Sequence, residues 1–219
     1  MHATTTLAEL AVAHPGAARV FYRNRLDFCC NGRRALDQAC QERGLDPAQI
    51  LDQIHAEDPL AADVTRWADA ALPAIIDHIV TLYHARLRDQ LPTLIAMAQR
   101  VETRHAEKPE CPHGLAAQLE RMHLAVLDHL AKEEQILFPL IVRGLGARAA
   151  APVHVMELEH DDHSANLRAV RAMTTDLDAP EVACTTWRAL YAGLQQLEQE
   201  LMEHIHLENN ILFRRALAS

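Results

Sequence analysis

His129-Leu-Ala-Lys-Glu133-Glu-Gln-Ile-Leu-Phe138 and His204-Ile-His-Leu-Glu208-Asn-Asn-Ile-Leu-Phe213 are two versions of one pattern, set 75 residues apart. Each places a His four residues before a Glu and closes on Ile-Leu-Phe. On a helix, residues i and i+4 share a face, about 5–6 Å apart at Cβ. His129 with Glu133, and His204 with Glu208, therefore point the same way. His84 and His160 stand 76 residues apart. The chain thus reads as a duplicated helical hairpin, each copy carrying one lone His and one His-x-x-x-Glu.

The flanking residues say which way these faces point. Around the first pattern runs a 3-4 alternation of Leu119, Met122, Val126, His129, Glu133, Ile136 and Leu140. Around the second it is Leu190, Leu194, Leu197, Leu201, His204, Glu208 and Ile211. A third stripe holds Val153, Met156, His160, His163, Leu167 and Val170, and a less regular one holds Val80, His84, Leu87, Leu91, Leu94 and Ala98. Such stripes are the seams of a packed helix bundle. Each is apolar except near its middle, where it carries His or Glu.

Prolines suggest where the four helices start: at or just before Pro73, and at Pro112, Pro152 and Pro180. The expected ends are near Arg104, Gly144, Asp176 and Leu217. Pro92 and Pro139 fall inside two of the segments and are expected to kink them. Short connections predict antiparallel neighbours. Ahead of the bundle, residues 1 to about 55 read as a small helical unit. Thr6 caps a first helix, Pro15 opens a second, Asn31-Gly32 makes a turn, and Asp46-Pro47 starts another helix. The stretch Ala56–Asp63 reads as a linker. The predicted architecture is all-α: a small N-terminal helical domain over 1–60, then an up-down four-helix bundle over 66–219.

The bulk composition agrees. Of 219 residues, 49% are hydrophobic and only 4% aromatic, a balance that favours helices over sheets. The net charge of −9 argues against a nucleic-acid partner, which wants a basic face. No apolar run is long enough to span a membrane. The N-terminus lacks a signal-peptide pattern, so a cytoplasmic location is expected. Five cysteines at scattered spacings fit reduced thiols better than a disulfide framework.

Two carboxylates buried among leucines demand a compensating positive charge, and a pair of metal ions supplies it. Imidazole with carboxylate suits iron, manganese or zinc. Of the 14 histidines, the seam positions His84, His129, His160 and His204 are the expected ligands, with Glu133 and Glu208 as bridges. His78 and His154 precede two of these by six residues, which turns a helix by about 600°, so they point elsewhere. His206 faces away from His204. His105, His113 and His123 lie near helix ends or off the seam. His163 follows the seam and is either a further ligand or supporting group, or a packed side chain. The remaining feature is Cys29-Cys30, beside a turn and followed by Arg33-Arg34. Such thiols can be rich in thiolate and exchange disulfides, bind NO or contact a metal, or simply be packed.

Three stretches carry a resemblance: Asp27-Phe28-Cys29-Cys30-Asn31-Gly32, Lys132-Glu133-Glu134-Gln135-Ile136-Leu137-Phe138-Pro139, and Ala183-Cys184-Thr185-Thr186-Trp187. Through them the bundle resembles a hemerythrin-type domain. The whole chain resembles the repair-of-iron-centres family of iron–sulfur cluster repair di-iron proteins, whose N-terminal unit is of the ScdA-N type. The resemblance implies two non-haem irons, oxo- or hydroxo- and carboxylate-bridged, on His84, His129, Glu133, His160, His204 and Glu208. It also implies a cytoplasmic homodimeric stress protein that restores clusters damaged by nitric oxide or oxidants, and a thiol role for Cys29 and Cys30. His163 stands where the family pattern leads one to expect a smaller or acidic residue. Two other functions suit the same site: a di-iron enzyme that reduces NO to nitrous oxide, and an O2- or NO-sensing or carrying protein. Oxygen carriers of this type use five histidines, so the last gains if His163 is a ligand.

Overall fold

The computed structural model describes residues 1–58 and 67–218. They are predominantly helical, with no strand among them beyond a single bridge between Thr6 and Ala35. The predicted linker is described only to Asp58, which caps a helix; 59–63 lie outside the described residues. The chain forms two compact units, Met1–Ile76 with Met202–Ser219, and Asp77–Leu201.

The first unit opens with α1 (Leu7–Ala13), α2 (Ala17–Arg23), α3 (Leu36–Arg43) and α4 (Pro47–Glu57). Thr6 starts α1 through a reciprocal cap: its hydroxyl accepts from the Glu9 N–H while the Glu9 carboxylate accepts from the Thr6 N–H. Asp46 caps α4 directly ahead of Pro47, as the sequence predicts. Gly44, at φ 66°, ends α3 in the left-handed conformation that suits glycine. Leu7, Leu10, Val20, Phe21, Leu26, Phe28, Leu36, Ile50 and Ile54 form the core. The unit also holds α5 (Leu72–His78) up to Ile76, and the C-terminal helix α11 (Phe213–Leu217).

The second unit is built on α6 (Ala85–Arg104), α7 (Leu115–Lys132), α9 (Gly146–Met173) and α10 (Thr185–His206), with the short α8 (Phe138–Val142) between α7 and α9. Polar bridges tie the four long helices into a closed ring. Gln99 donates to Glu120 and Glu102 accepts from the Ala116 N–H, joining α6 to α7. Gln118 donates to Asn166, joining α7 to α9. Arg171 makes a bidentate pair with the buried Glu198, joining α9 to α10. Arg86 reaches Glu200 at 2.6 Å, and Gly193 lets α10 close on α6, where an added Cβ would stand 2.7 Å from Leu94 Cδ2.

Two helix starts differ from expectation. α9 begins at Gly146, so Pro152 sits inside it, where it removes the bond to the Arg148 carbonyl. α10 begins only at Thr185, five residues after Pro180. Between them Thr175, Asp176 and Leu177 all have positive φ. That conformation is unfavourable for such side chains; it is held by Arg171 on the Asp176 carboxylate at 2.6 Å and by the Thr174 hydroxyl accepting from the Leu177 N–H.

The larger difference is in register. Three of the helical rods contain wide π turns: Ile79–His84, Glu133–Leu137 and Leu207–Leu212. A π turn takes one residue more than an α turn, so it slips the inward face by one. Ile136, expected on the seam, is 54% exposed, and Leu137 is buried in its place. At the first turn Ile79 is buried where Val80 was expected, and Val80 is only half-buried. The Val153–Val170 and Leu190–Ile211 stripes are buried along their whole predicted length.

Candidate metal centre

Each π turn begins or ends on a metal-ligand candidate, or has one next to its first residue: His84 is the last residue of the first, Glu133 opens the second, and Glu208 is the second residue of the third. Such turns recur at functional sites because they re-aim a side chain without breaking the helix. His160 sits on the regular α9.

Within the unit Asp77–Leu201, four of the expected ligands come together in full burial. Glu133 and His84 are 0% exposed, as is His160. One Glu133 oxygen lies 3.3 Å from His84 Nε2 and 3.5 Å from His129 Nε2. His160 Nε2 and His129 Nε2 face each other at 3.1 Å. In the other unit, His204 Nε2 lies 2.9 Å from a Glu208 oxygen, both side chains buried. Helix α10 runs unbroken from Thr185 to His206, so one rod carries His204 in series with the Leu190–Leu201 stripe. His84, Glu133, His204 and Glu208 make one group that could hold a metal ion, and His129, Glu133, His160 and Glu208 make another. The two groups share both glutamates.

The outer edges of the imidazoles are also fixed. His84 Nδ1 stands 2.7 Å from Glu134, and His129 Nδ1 2.9 Å from Glu159. A carboxylate only accepts, so Nδ1 carries the proton in each ring and the Nε2 lone pair is turned inward. Glu134 is itself held by Arg88 at 2.8 Å, and Glu159 by Lys132 at 2.5 Å. Burial alone would raise the Glu134 carboxyl, but the hydrogen bonds from His84 and Arg88 and the charges of both outweigh it and hold it below the usual carboxylate range. Lys132 is kept above its usual value by Asp128 first and then Glu159.

The donor set fits metal binding. Ligands at right angles on bonds of about 2.1 Å sit about 3.0 Å apart, close to the separation of the two Nε2 atoms and of the His204–Glu208 pair. Two inward lone pairs at such a distance repel unless a proton or cation lies between them.

Glu134 and Glu159 are site residues that the sequence reading missed. The available signal was adjacency: each is one position from a ligand, about 100° around its helix, where it faces the neighbouring helix. His163 is buried but belongs to neither four-donor group; its ring stands edge-on to His129, centroids 4.9 Å apart. His154 is exposed and His78 half-buried, packed on Tyr83. His206 is buried, against Phe28, with Nδ1 3.0 Å from the Asn210 amide. Burial, with Arg214 nearby, lowers its pKa to about 4, so it is a neutral packed residue.

Cys29 and Cys30 lie in the first unit, their sulfurs 3.7 Å apart. Cys29 is buried, and its pKa is raised well above the ordinary thiol value by its hydrogen bond to Cys30, by burial, and by the charges of Cys30 and Asp27. The thiolate-rich pair considered from the sequence is therefore not what Cys29 presents by itself; Arg33 and Arg34 do not offset its neighbours. The loop is tightly held at Gly32, where an added Cβ would meet the Phe28 carbonyl oxygen at 2.4 Å and Ala8 Cβ at 2.9 Å. Gly32→Ala is expected to destabilise the fold by about 1–3 kcal/mol, a cost typical of forced repacking, measured by chemical denaturation. An effect within error would show that the loop yields.

Residues 75–216 match the hemerythrin HHE cation binding domain, and residues 3–58 match the ScdA_N domain, a domain of unknown function. The iron-sulfur cluster repair protein YtfE of Pectobacterium atrosepticum is 46% identical over 212 residues, which is 97% of this chain and 96% of the relative. The protein of the same name from Musicola paradisiaca is 48% identical over 215 residues, with the same coverage. That from Yersinia pseudotuberculosis is 45% identical over 212 residues, again with 97% and 96% coverage. No helix of the described residues is long and apolar enough to cross a membrane.

Proposed function

We propose, on the premise that this chain belongs to the hemerythrin HHE cation-binding family and to the iron–sulfur cluster repair proteins that carry that domain, that it repairs iron–sulfur clusters damaged by nitrosative or oxidative stress. The reading assigns two irons to His84, His129, Glu133, His160, His204 and Glu208, with Glu133 and Glu208 as bridges. The observation that carries it is the pair of four-donor groups sharing the same two buried glutamates. It includes a cytoplasmic homodimer, NO or O2 as small ligand, and damaged iron–sulfur proteins as partners.

When bound, the iron pair supplies exchangeable positions for a small ligand and iron that can be passed to a damaged cluster. The residues of the chain do the rest. Glu134 and Glu159 orient His84 and His129 through Nδ1. Phe138 stacks on His84 with centroids 5.8 Å apart and keeps water from that ring. A donor set of four imidazoles and two carboxylates carries less negative charge than a carboxylate-dominated one, so it holds its ions less tightly, which suits donation.

Incubating the iron-loaded protein with a nitrosylated iron–sulfur enzyme should restore that enzyme's activity while iron leaves the donor. Retention of the iron with no recovery would refute repair by donation. Nitrous oxide evolved over many turnovers, without iron transfer, would move the assignment to NO reduction.

A further inference from the structure

A third donor group lies outside the histidine–glutamate centre. One ligand atom from each of Asp27, Cys29 and Cys30 falls within 4.8 Å of the others. The two sulfurs are 3.7 Å apart, and Cys29 Sγ is 3.4 Å from Asp27 Oδ1. A cation with sulfur bonds of about 2.3 Å and an oxygen bond of about 2.0 Å at tetrahedral angles sets its sulfurs about 3.8 Å apart and sulfur from oxygen about 3.5 Å. Both separations are met before any ion enters.

The loop holds this arrangement from several sides. Asp27 Oδ1 accepts from the Cys30 and Asn31 N–H groups, and Asp27 Oδ2 accepts from the Asn31 amide at 2.7 Å. Asn210 donates to the Phe28 carbonyl and Asn209 to the Cys29 carbonyl, each at 3.1 Å. Gly32 seals the turn against Ala8. Asp27 and Cys30 are only part-buried, so a cation reaches the group from solvent. The sulfurs are thiols, not a disulfide.

We propose that Asp27, Cys29 and Cys30 form a second metal site, a three-donor site for a thiophilic divalent cation with one exchangeable position. Three protein ligands and an open fourth vertex are the plan of sites that exchange or present a metal, whereas structural sites close with four. On binding, each thiol gives its proton to solvent and forms a sulfur–metal bond, with no change of oxidation state. The site does not depend on the function assigned to the histidine–glutamate centre, although Asn209 and Asn210 directly follow Glu208 in the chain.

The probe is Co2+ added anaerobically to the reduced full-length protein after iron has filled the histidine–glutamate centre. None of the six residues assigned to that centre has sulfur, so a thiolate-to-cobalt charge-transfer band reports only a cysteine site. One further equivalent of cobalt per chain is expected, with that band, and Zn2+ should erase the band by displacement. Cys30→Ser should abolish it. Asp27→Asn, which keeps an oxygen acceptor for the loop, should weaken binding by roughly tenfold or more through loss of a charged ligand. Iron content should be unchanged in both. Cys184, an exposed thiol with His105 Nε2 at 3.2 Å, serves as control: Cys184→Ala should keep the band. Absence of the band, its survival in Cys30→Ser, or its loss in Cys184→Ala would overturn the proposal. Should Cys30→Ser not fold, alkylation of the unaltered protein decides: Zn2+ should shield Cys30 but not Cys184, and equal labelling with and without Zn2+ refutes the site.

Discussion

Glu133→Leu is expected to leave the protein unable to hold its metal pair, yet more stable when metal-free. Glu133 is completely buried, within 3.5 Å of two imidazole nitrogens, and belongs to both four-donor groups. In the proposed two-iron assignment its removal takes a ligand from each ion at once and leaves one shared carboxylate, Glu208. In the metal-free chain the same carboxylate is a liability, because burying a charge among leucines and aromatics costs several kcal/mol that neighbouring imidazoles recover only in part. Replacing buried ionic groups by packed apolar ones is often stabilising by about 1–4 kcal/mol, and leucine nearly matches glutamate in volume. Glu208→Leu should behave alike, since Glu208 is equally buried and equally shared. Metal analysis and thermal denaturation of the same preparations give both readouts. Full metal content in either variant would show that the glutamates do not bridge. Loss of metal together with a large drop in apo stability would show that they act mainly as structural partners of the histidines.

The contrast between what the sequence disclosed and what it concealed follows from periodicity. His160, His163 and the Leu190–Leu201 stripe lie on unbroken α-helix, where a 3-4 count places every side chain, and all are buried as expected. Ile136 and Val80 were misplaced because each lies in a π turn. Nothing in Glu-Glu-Gln-Ile-Leu marks one: the wide turn comes from the tertiary need to aim Glu133 inward, and its signature is only that Leu137 is buried in place of Ile136. Pro152 misled in another way. Proline is cheapest at a helix start, but the four buried apolar contacts of α9 beyond it, from Val153 to Val170, tolerate one missing bond, and Gly146 sets the true beginning. The first unit was legible where caps are local, as at Thr6 and Asp46–Pro47. The donor geometry of Asp27 with Cys29 and Cys30 was not, because it depends on a loop tied to Asn209 and Asn210, some 180 positions later in the chain.

Glu159→Gln and Glu134→Gln should each weaken one half of the metal centre and spare the other. Glu159 fixes His129, which belongs to the group with His160; Glu134 fixes His84, which belongs to the group with His204. A carboxylate on Nδ1 keeps that proton in place, locks the ring plane and raises the electron density at Nε2, so losing it commonly lowers metal affinity by about 10–100-fold. Glutamine keeps the shape and one acceptor but not the charge, so Arg88 loses its anionic partner in Glu134→Gln and Lys132 keeps only Asp128 in Glu159→Gln. The added positive field acts in the same direction, against the cation. Competition with a chelator should then show two unequal steps in each variant, against closely spaced steps in the unaltered protein. The half that loosens should differ between the two: imidazole resonances of His129 and His160 should shift first on metal withdrawal in Glu159→Gln, and those of His84 and His204 in Glu134→Gln. Equal weakening of both ions by either change would mean that the shared glutamates couple the pair so tightly that it binds as one unit. No weakening at all would mean that the bundle packing, through contacts such as Phe138 on His84, already orients the rings without help from their carboxylates.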